Sequence, residues 1–472
     1  MVTVAGLSGT GKSAIVKEFQ RQTRKRDKSA FFCSGKFDQN QRSLPYNAFI
    51  TALTQLVSEF SMLPPADKEE LQRSLRKNYR VLLDLIPNLE DLFPDNITDG
   101  GGKEEESTVA PEQKSYDVVR SQARFKFALS KFLASVCQPQ HKVIIFLDDL
   151  QWIDPASLDL LEFMLLEPGL EESLLIIGSY RDNEVDDQHL LLRRLAVVEM
   201  SRGRTMQRLW IENLSLQNTH DLITDLFNAD PSETKELAEI AHSKVEGNAF
   251  FLIQFLIALR DEDHISYNIG TTSWSWKLEK IRKSTVVSNS VLLVLMKKMK
   301  KLDENARRLL TIISFLGSSF QETVVDILAT ELAGSSLLPA VETLENTAVI
   351  LGALVDTGFL EVVVTQDRGS NQNQKVYYFA HDQIEMAAIS FQDESTLPEL
   401  NLEMARVLYS KRHDFDSEGK LFAVVDMYNQ GRDLIKSSKE VMLLAELNFQ
   451  AGKHALESSA FAASTKLPSS CH

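Results

Sequence analysis

Along the first 60 residues the apolar positions change rhythm repeatedly. Val2–Ala5 is a short apolar run of strand length, and Gly6–Gly11 is a glycine-rich turn. Lys12–Thr23 then places Ala14, Ile15, Val16 and Phe19 on one side of a helix. Ala30–Ser34 reads again as strand and Tyr46–Phe60 as helix. The rhythm resumes with a helix over Ser121–Val136, strands at Val143–Leu147, Leu174–Tyr180 and Met206–Trp210, and a helix at Ala156–Leu166. Strands alternating with helices at this spacing predict βαβ units around a parallel sheet. Residues 61–93 read as a helical insertion. Residues 95–117, with three consecutive glycines, an acidic run and almost no apolar side chains, predict a mobile surface loop.

The second half is mostly helical. Ser215–Arg260 keeps a helical period, and residues 285–392 carry several helices followed by strands at Phe359–Val364 and Lys375–Phe379. The polar stretch DRGSNQNQ joins those strands, and helices followed by such a hairpin are the pattern of a winged helix. Beyond 393 the pattern is helical to about Thr465 and suits paired helices. The expected boundaries are a core over 1–214, a helical lid over 215–284, a winged helix over 285–392 and a repeat-like helical segment over 393–472. The longest apolar runs fall far short of the ~20 residues of a membrane span, and the N-terminus carries no leader pattern.

Composition narrows the classes. With 472 residues, 43% apolar and 25% charged, the chain reads as soluble and globular, with two to four domains at roughly 100–200 residues each. The net charge of −15 argues against a nucleic-acid partner. Lys297–Lys301 with Arg307 and Arg308 form only a modest basic cluster. The cysteines Cys33, Cys137 and Cys471 are scattered, match no metal spacing and suit a reducing, cytoplasmic setting. The histidines form no ligand spacing either. Asn96-Ile97-Thr98 reads as a chance triplet, Arg21–Lys28 as the solvated end of a helix, and Phe250, Phe251, Phe255 and Leu256 as core.

Three stretches carry chemistry. Gly6–Ser13, GLSGTGKS, fits G-x-x-x-x-G-K-[ST] between a strand and a helix. Its glycines let backbone N–H groups face phosphate oxygens, and the helix beginning at Lys12 aims its N-terminal dipole at the same anion. Gly6, Ser8, Gly9, Thr10, Gly11, Lys12 and Ser13 form the expected nucleotide cradle. Lys12 reaches the β- and γ-phosphates, and Ser13 binds Mg²⁺. Val143–Asp154, VIIFLDDLQWID, is an apolar strand ending in two acids. Asp148 is the second expected Mg²⁺ ligand, and Asp149 orients or deprotonates the attacking water. Leu174–Arg181, LLIIGSYR, brings Arg181 to the same sheet edge. Arg181 reads the terminal phosphate or, alternatively, pairs with Asp182 or Glu184. The fold class is an α/β P-loop nucleoside triphosphatase.

These residues resemble a family. The phosphate loop with DDLQWIDPASLDLL is similar to the AAA-type ATPase region of STAND signalling ATPases, often labelled Orc1-like predicted ATPase. A narrower likeness is to the module found inside large sensor histidine kinases and serine/threonine kinases. GKFDQNQRSLPYNAF, SQARFKFALSKFL, GSYRDNEV, EGNAFFLIQFL, YYFAHDQIEMAA and LNFQAGKHALESSAFAAS resemble its blocks in the same order. The resemblance implies an AAA-like sheet, a helical lid, a winged helix and a TPR-like segment. It implies Arg181 as the sensor arginine, Gly247 as the glycine of a G-x-P element near the adenine, and His381 as the histidine that meets the β-phosphate of ADP. The proline of that element is replaced, the sequence reading Gly247-Asn248-Ala249. On the sequence alone His381 reads equally as a core or capping histidine. The family's upstream Gly-Arg-Glu element has no counterpart here, and the last helices stop short of the family's longer array.

The expected function is an ATP-binding, slowly hydrolysing regulatory switch that uses ATP, ADP and Mg²⁺. Its C-terminal helices would pass the nucleotide state to a protein partner, among them a kinase module, with nucleotide-dependent self-association as a further outcome and no membrane role. An initiator-like DNA-binding ATPase and an inactive nucleotide-binding scaffold are the alternatives. Arg193 and Arg194 read as solvated surface or as an arginine finger.

Overall fold

Short apolar runs become a parallel sheet when the connecting helices can cover both of its faces. The computed structural model describes residues 1–37, 46–76, 79–83, 85–93, 111–170, 172–203, 206–283, 291–317, 319–338, 347–367, 372–393, 395–412 and 421–457. The chain folds as two units, Met1–Ile211 with the residues from Asn448 onward, and Glu212–Leu447.

The first unit runs β1 (Val2–Ala5), α1 (Lys12–Arg26), β2 (Phe31–Lys36), α2 (Asn47–Phe60), α3 (Pro65–Leu75), α4 (Pro111–Val136), β3 (Val143–Asp148), α5 (Pro155–Leu166), β4 (Leu174–Tyr180), α6 (Leu190–Arg202) and β5 (Gln207–Trp210). The strands pair in parallel in the order β2-β3-β4-β1-β5. Val4, Val16, Phe32, Ile144, Phe146 and Ile177 form one core cluster between α1 and the sheet. Because side chains alternate along a strand, Lys36 and Asp148 follow Phe32 and Ile144 onto that same side at the carboxyl edge. Lys36 lies in register with Asp148.

Two expectations change here. Of the apolar side expected on α1, Val16 is buried, whereas Ile15 and Phe19 remain 46% and 41% exposed. The loop expected over 95–117 is helix from Pro111. Proline suits a first helical turn, and the Glu, Gln and Lys that follow are good helix formers without any apolar stripe. The rest of that loop, the Asn96 triplet and everything after residue 457 lie outside the described residues.

The second unit runs α7 (Leu216–Phe227), α8 (Pro231–Val245), α9 (Ala249–Asp261), β6 (Ile265–Asn268), β7 (Ser273–Trp276), α10 (Leu278–Lys283), α11 (Val291–Lys300), α12 (Glu304–Ser314), β8 (Ser319–Gln321), α13 (Glu322–Glu331), α14 (Thr347–Asp356), β9 (Leu360–Asp367), β10 (Gln372–Phe379), α15 (Asp382–Ile389), α16 (Leu397–Ser410), α17 (Leu421–Gln430) and the first half of α18 (Ser438–Glu457), to Leu447. Its helices begin at legible caps. Ser215, Asp230, Asn248 and Asp303 each accept a backbone N–H of the first turn.

The stretch expected to be a helical lid also contains an antiparallel hairpin of β6 and β7, with Ile265 opposite Trp276 and Tyr267 opposite Trp274. Trp274 and Trp276 pack on Phe227 at 5.3 and 5.7 Å between ring centroids. The two later strands are longer than their apolar runs, and β8 joins them in the order β8-β10-β9. Phe255 and Leu256 are buried as expected, while Phe250 and Phe251 are half-buried. Arg308, read as part of a basic surface, is buried and donates to the Leu332 carbonyl. No helix among the described residues is long and apolar enough to cross a membrane. Cys33 and Cys137 are buried free thiols whose burial pushes their pKa up, that of Cys137 to about 12.

Candidate functional site

The phosphate loop is shaped by what glycine permits. An added Cβ on Gly6 would lie 2.2 Å from the Ile211 carbonyl oxygen, so the backbone there tolerates no side chain. Gly9 and Gly11 take φ of 79° and 100°. Gly11 enters α1 in the left-handed region, and no side chain caps that helix end. Thr10 fastens the turn from within, its hydroxyl donating to the Leu7 carbonyl at 2.9 Å. Ser8 is half-buried in the same turn.

Lys12 is the first residue of α1 and is buried. Its ammonium donates to the carbonyls of Gly6 at 2.9 Å and Leu7 at 2.8 Å, so it lies folded across the loop. Burial pulls its pKa down against the opposing pull of Asp149 and Asp148. Ser13 Oγ donates to Asp148 Oδ2 at 2.8 Å. Ser179 Oγ donates to the other Asp148 oxygen. Burial, with the Asp149 charge next to it, pushes the Asp148 carboxyl above its ordinary range.

Asp149 does not continue the strand. It turns into the left-handed region at φ 58°, a conformation that costs a non-glycine residue of order 1–3 kcal/mol. Its carboxylate is engaged on both oxygens. Gln151 Nε2 donates to Oδ1 at 2.9 Å, Arg181 Nε lies 3.8 Å from the same oxygen, and Lys36 Nζ lies 3.3 Å from Oδ2. Burial opposes the Asp149 charge, but Lys36, Arg181 and Gln151 outweigh it and hold the carboxyl below its usual range. A carboxylate held in this way is a poor proton acceptor. As found, Asp149 is an ion-pair partner, not a poised base.

Of its two readings, Arg181 takes the ion pair with Glu184. It faces Asp149 and donates to Glu184 at 2.7 Å, while its guanidinium stacks over the Trp152 ring at 4.6 Å. Sequence reasoning missed Lys36, Gln151 and Trp152 as members of this cluster. The two-residue alternation from Phe32 to Lys36 was the available signal for Lys36. Arg194 pairs with Asp159 and Glu162 on α5.

The other two expected residues belong to the second unit. Gly247 has φ 73°, and a Cβ there would lie 2.0 Å from the Leu214 carbonyl oxygen. Leu214 N donates to the Gly247 carbonyl at 2.8 Å. His381 caps α15, its Nδ1 accepting from Gln383 N at 3.1 Å. The imidazole is stacked face to face on Phe250, 3.9 Å apart and 14° from parallel.

The donors at the sheet edge fit Mg²⁺ and a nucleotide phosphate. Ser13 and Asp148 bring one hydroxyl and one carboxylate within hydrogen-bond distance, the hard oxygen donors that Mg²⁺ takes alongside water and phosphate. Among the described residues no cluster of three or more His, Cys, Asp or Glu could hold a metal unaided. Residues 1–177 match the family model of the AAA ATPase domain. Over 98% of its length the chain is 26% identical to the hybrid signal transduction histidine kinase G of Dictyostelium discoideum, and it spans 16% of that relative. Among solved structures, the STAND protein with a tetratricopeptide repeat sensor from Pyrococcus horikoshii is 13% identical at a TM-score of 0.42, over 99% of this chain and 55% of that one. The Aeropyrum pernix Orc1 protein in complex with DNA is 14% identical at a TM-score of 0.31, over 84% and 88%.

Proposed function

We propose that the chain is a regulatory ATPase module whose nucleotide state is read by a protein partner, as in a signalling kinase. One observation carries the reading: an uncapped helix end preceded by a glycine loop, with Lys12, Ser13 and Asp148 gathered at it. Lys12 leaves the Gly6 and Leu7 carbonyls to hold phosphate oxygens. Ser13 and Asp148 hold Mg²⁺, which when bound neutralises charge between phosphate oxygens. Asp149, ionised and paired, orients water more than it abstracts a proton, which suits slow hydrolysis serving regulation. Helices α11–α15 with the β8-β10-β9 sheet act as the winged helix of this switch. Gly247 and His381 are the residues proposed to meet ADP in the product state. The buried Arg308 and the Lys298 ammonium, which donates to the Thr357 carbonyl at 2.9 Å, thin out the basic cluster that a DNA-binding reading needs.

Denaturing freshly purified protein and identifying the released nucleotide tests the reading directly. ADP near one equivalent is expected, and Lys12→Ala should weaken Mg-nucleotide binding by about 100-fold, the loss of two charge-assisted bonds. Unchanged binding in Lys12→Ala refutes the site.

A further inference from the structure

The sheet edge holds one cation more than the phosphate loop requires. Lys36 closes β2, and strand alternation from Phe32, a core residue under α1, brings it out on the phosphate-loop side in register with Asp148. Its side chain is one-third exposed, whereas that of its partner Asp149 is 9% exposed. Lys12, Lys36 and Arg181 stand against Asp148, Asp149 and Glu184, with Asp182 acting on Lys12 as well, so acids already answer every cation as found. A triphosphate with Mg²⁺ brings about two further negative charges, and the charge that answers them must come from groups already at this edge. Asp149 is the group that releases it. It engages Lys36 on one oxygen and Arg181 on the other, and the Lys36 side chain is the more exposed of the two cations.

We propose that Lys36 is a ligand of the terminal phosphate, stored on Asp149 in the absence of a triphosphate and handed to it on binding. Asp149 is then a positioning residue for two cations, and Lys36 sets the preference for triphosphate over diphosphate. The inference rests on the nucleotide reading above. A lysine that stores its charge on a neighbouring acid is reached at little cost, because one ion pair is exchanged for another of similar strength.

The test is equilibrium calorimetry on the full chain with two probes, a non-hydrolysable ATP analogue and ADP, each with Mg²⁺. Lys36→Met should weaken the analogue by about 10-fold while changing ADP less than about 2-fold, the loss of a single charge-assisted contact to the third phosphate. Lys36→Arg should restore most of the preference. Asp149→Asn should tighten the analogue by about 3-fold without tightening ADP, because the stored cations lose their competitor. A structural ion pair predicts the opposite sign for Asp149→Asn, so that variant separates storage from scaffolding. Equal weakening of both ligands in Lys36→Met, an unchanged analogue affinity, or a weaker analogue in Asp149→Asn overturns the proposal. Thermal unfolding of each variant shows whether it is folded. Lys12→Ala measured alongside separates the two readings: if it binds both ligands as wild type, the nucleotide site itself has failed, whatever Lys36 does.

Discussion

The beginning of α1 is finished differently from those of α9 and α15. At α1 the chain arrives through Gly11 at φ 100°, and no side chain takes up the first N–H groups. At α9 and α15 the side chains of Asn248 and His381 accept those N–H groups themselves. All three follow a glycine or a short turn, and all three drew functional readings from the sequence. The open end has its donors unspent and a lysine, a serine and an aspartate around it. At each closed end a side chain already takes up a first-turn N–H. An unfinished helix end costs stability, and surrounding it with a buried acid pair costs more, so the α1 end keeps an expense that the α9 and α15 ends avoid.

The contrast is broken most severely at Gly6. Gly6→Ala drives a methyl group into the Ile211 carbonyl oxygen, 2.2 Å away, with the Thr10 hydroxyl at 3.1 Å beside it. A loss of about 3 kcal/mol is expected, with nucleotide binding abolished. Chemical unfolding of the first unit, followed by a probe placed within it, measures the loss. Retention of full nucleotide affinity by this variant would mean that the loop is not shaped for a ligand.

Asp148 reports the cost of the acid pair. Its folded pKa is raised by burial and by Asp149, so its charge opposes folding at pH values above the usual carboxylate range, and that penalty disappears as pH falls. Asp148→Asn should therefore stabilise the nucleotide-free protein at neutral pH by about 1 kcal/mol, and the advantage should shrink on acidification. The same variant should lose Mg²⁺-dependent binding. Melting curves at two pH values, with and without Mg-nucleotide, carry both signs. A variant less stable than wild type in the nucleotide-free state would remove the claim that the acids are kept at a cost.

How much of this could be read from the chain follows the same division. The phosphate loop and the β3 acids were legible because backbone geometry and ligand chemistry fix both residue type and spacing there. The parallel sheet was legible because β1 to β4 are buried along most of their length, although the edge strand β5 is exposed. Lys36 was not, since a lysine ending a strand has no signature until register places it beside Asp148. The β6–β7 hairpin was hidden because ISYN and SWSW alternate for only four residues each inside a long helical region. The start of α4 was read as loop because helix propensity without an apolar stripe looks like disorder. Gly247 and His381 were found by resemblance, and the structure supplies each with a complete local reason: close backbone approach for one, capping and stacking for the other.

Asn248 and His381 give the finer tests. Asn248→Ala removes a cap and should cost the second unit about 1 kcal/mol with nucleotide affinity unchanged. His381→Asn is more informative because asparagine is itself a good cap. It preserves the hydrogen bond to Gln383 N and removes the ring, so the loss is confined to the stack on Phe250, about 0.5–1 kcal/mol. Any effect on nucleotide beyond that cannot come from an unravelled helix. If His381 meets ADP in the product state, ADP release should quicken by about 10-fold in His381→Asn while affinity for the triphosphate analogue holds. If ADP release is unchanged, His381 is a cap and a stacking partner only. The closed helix ends of the second unit are then closed to nucleotide as well, and recognition of the product falls entirely to the open end at α1.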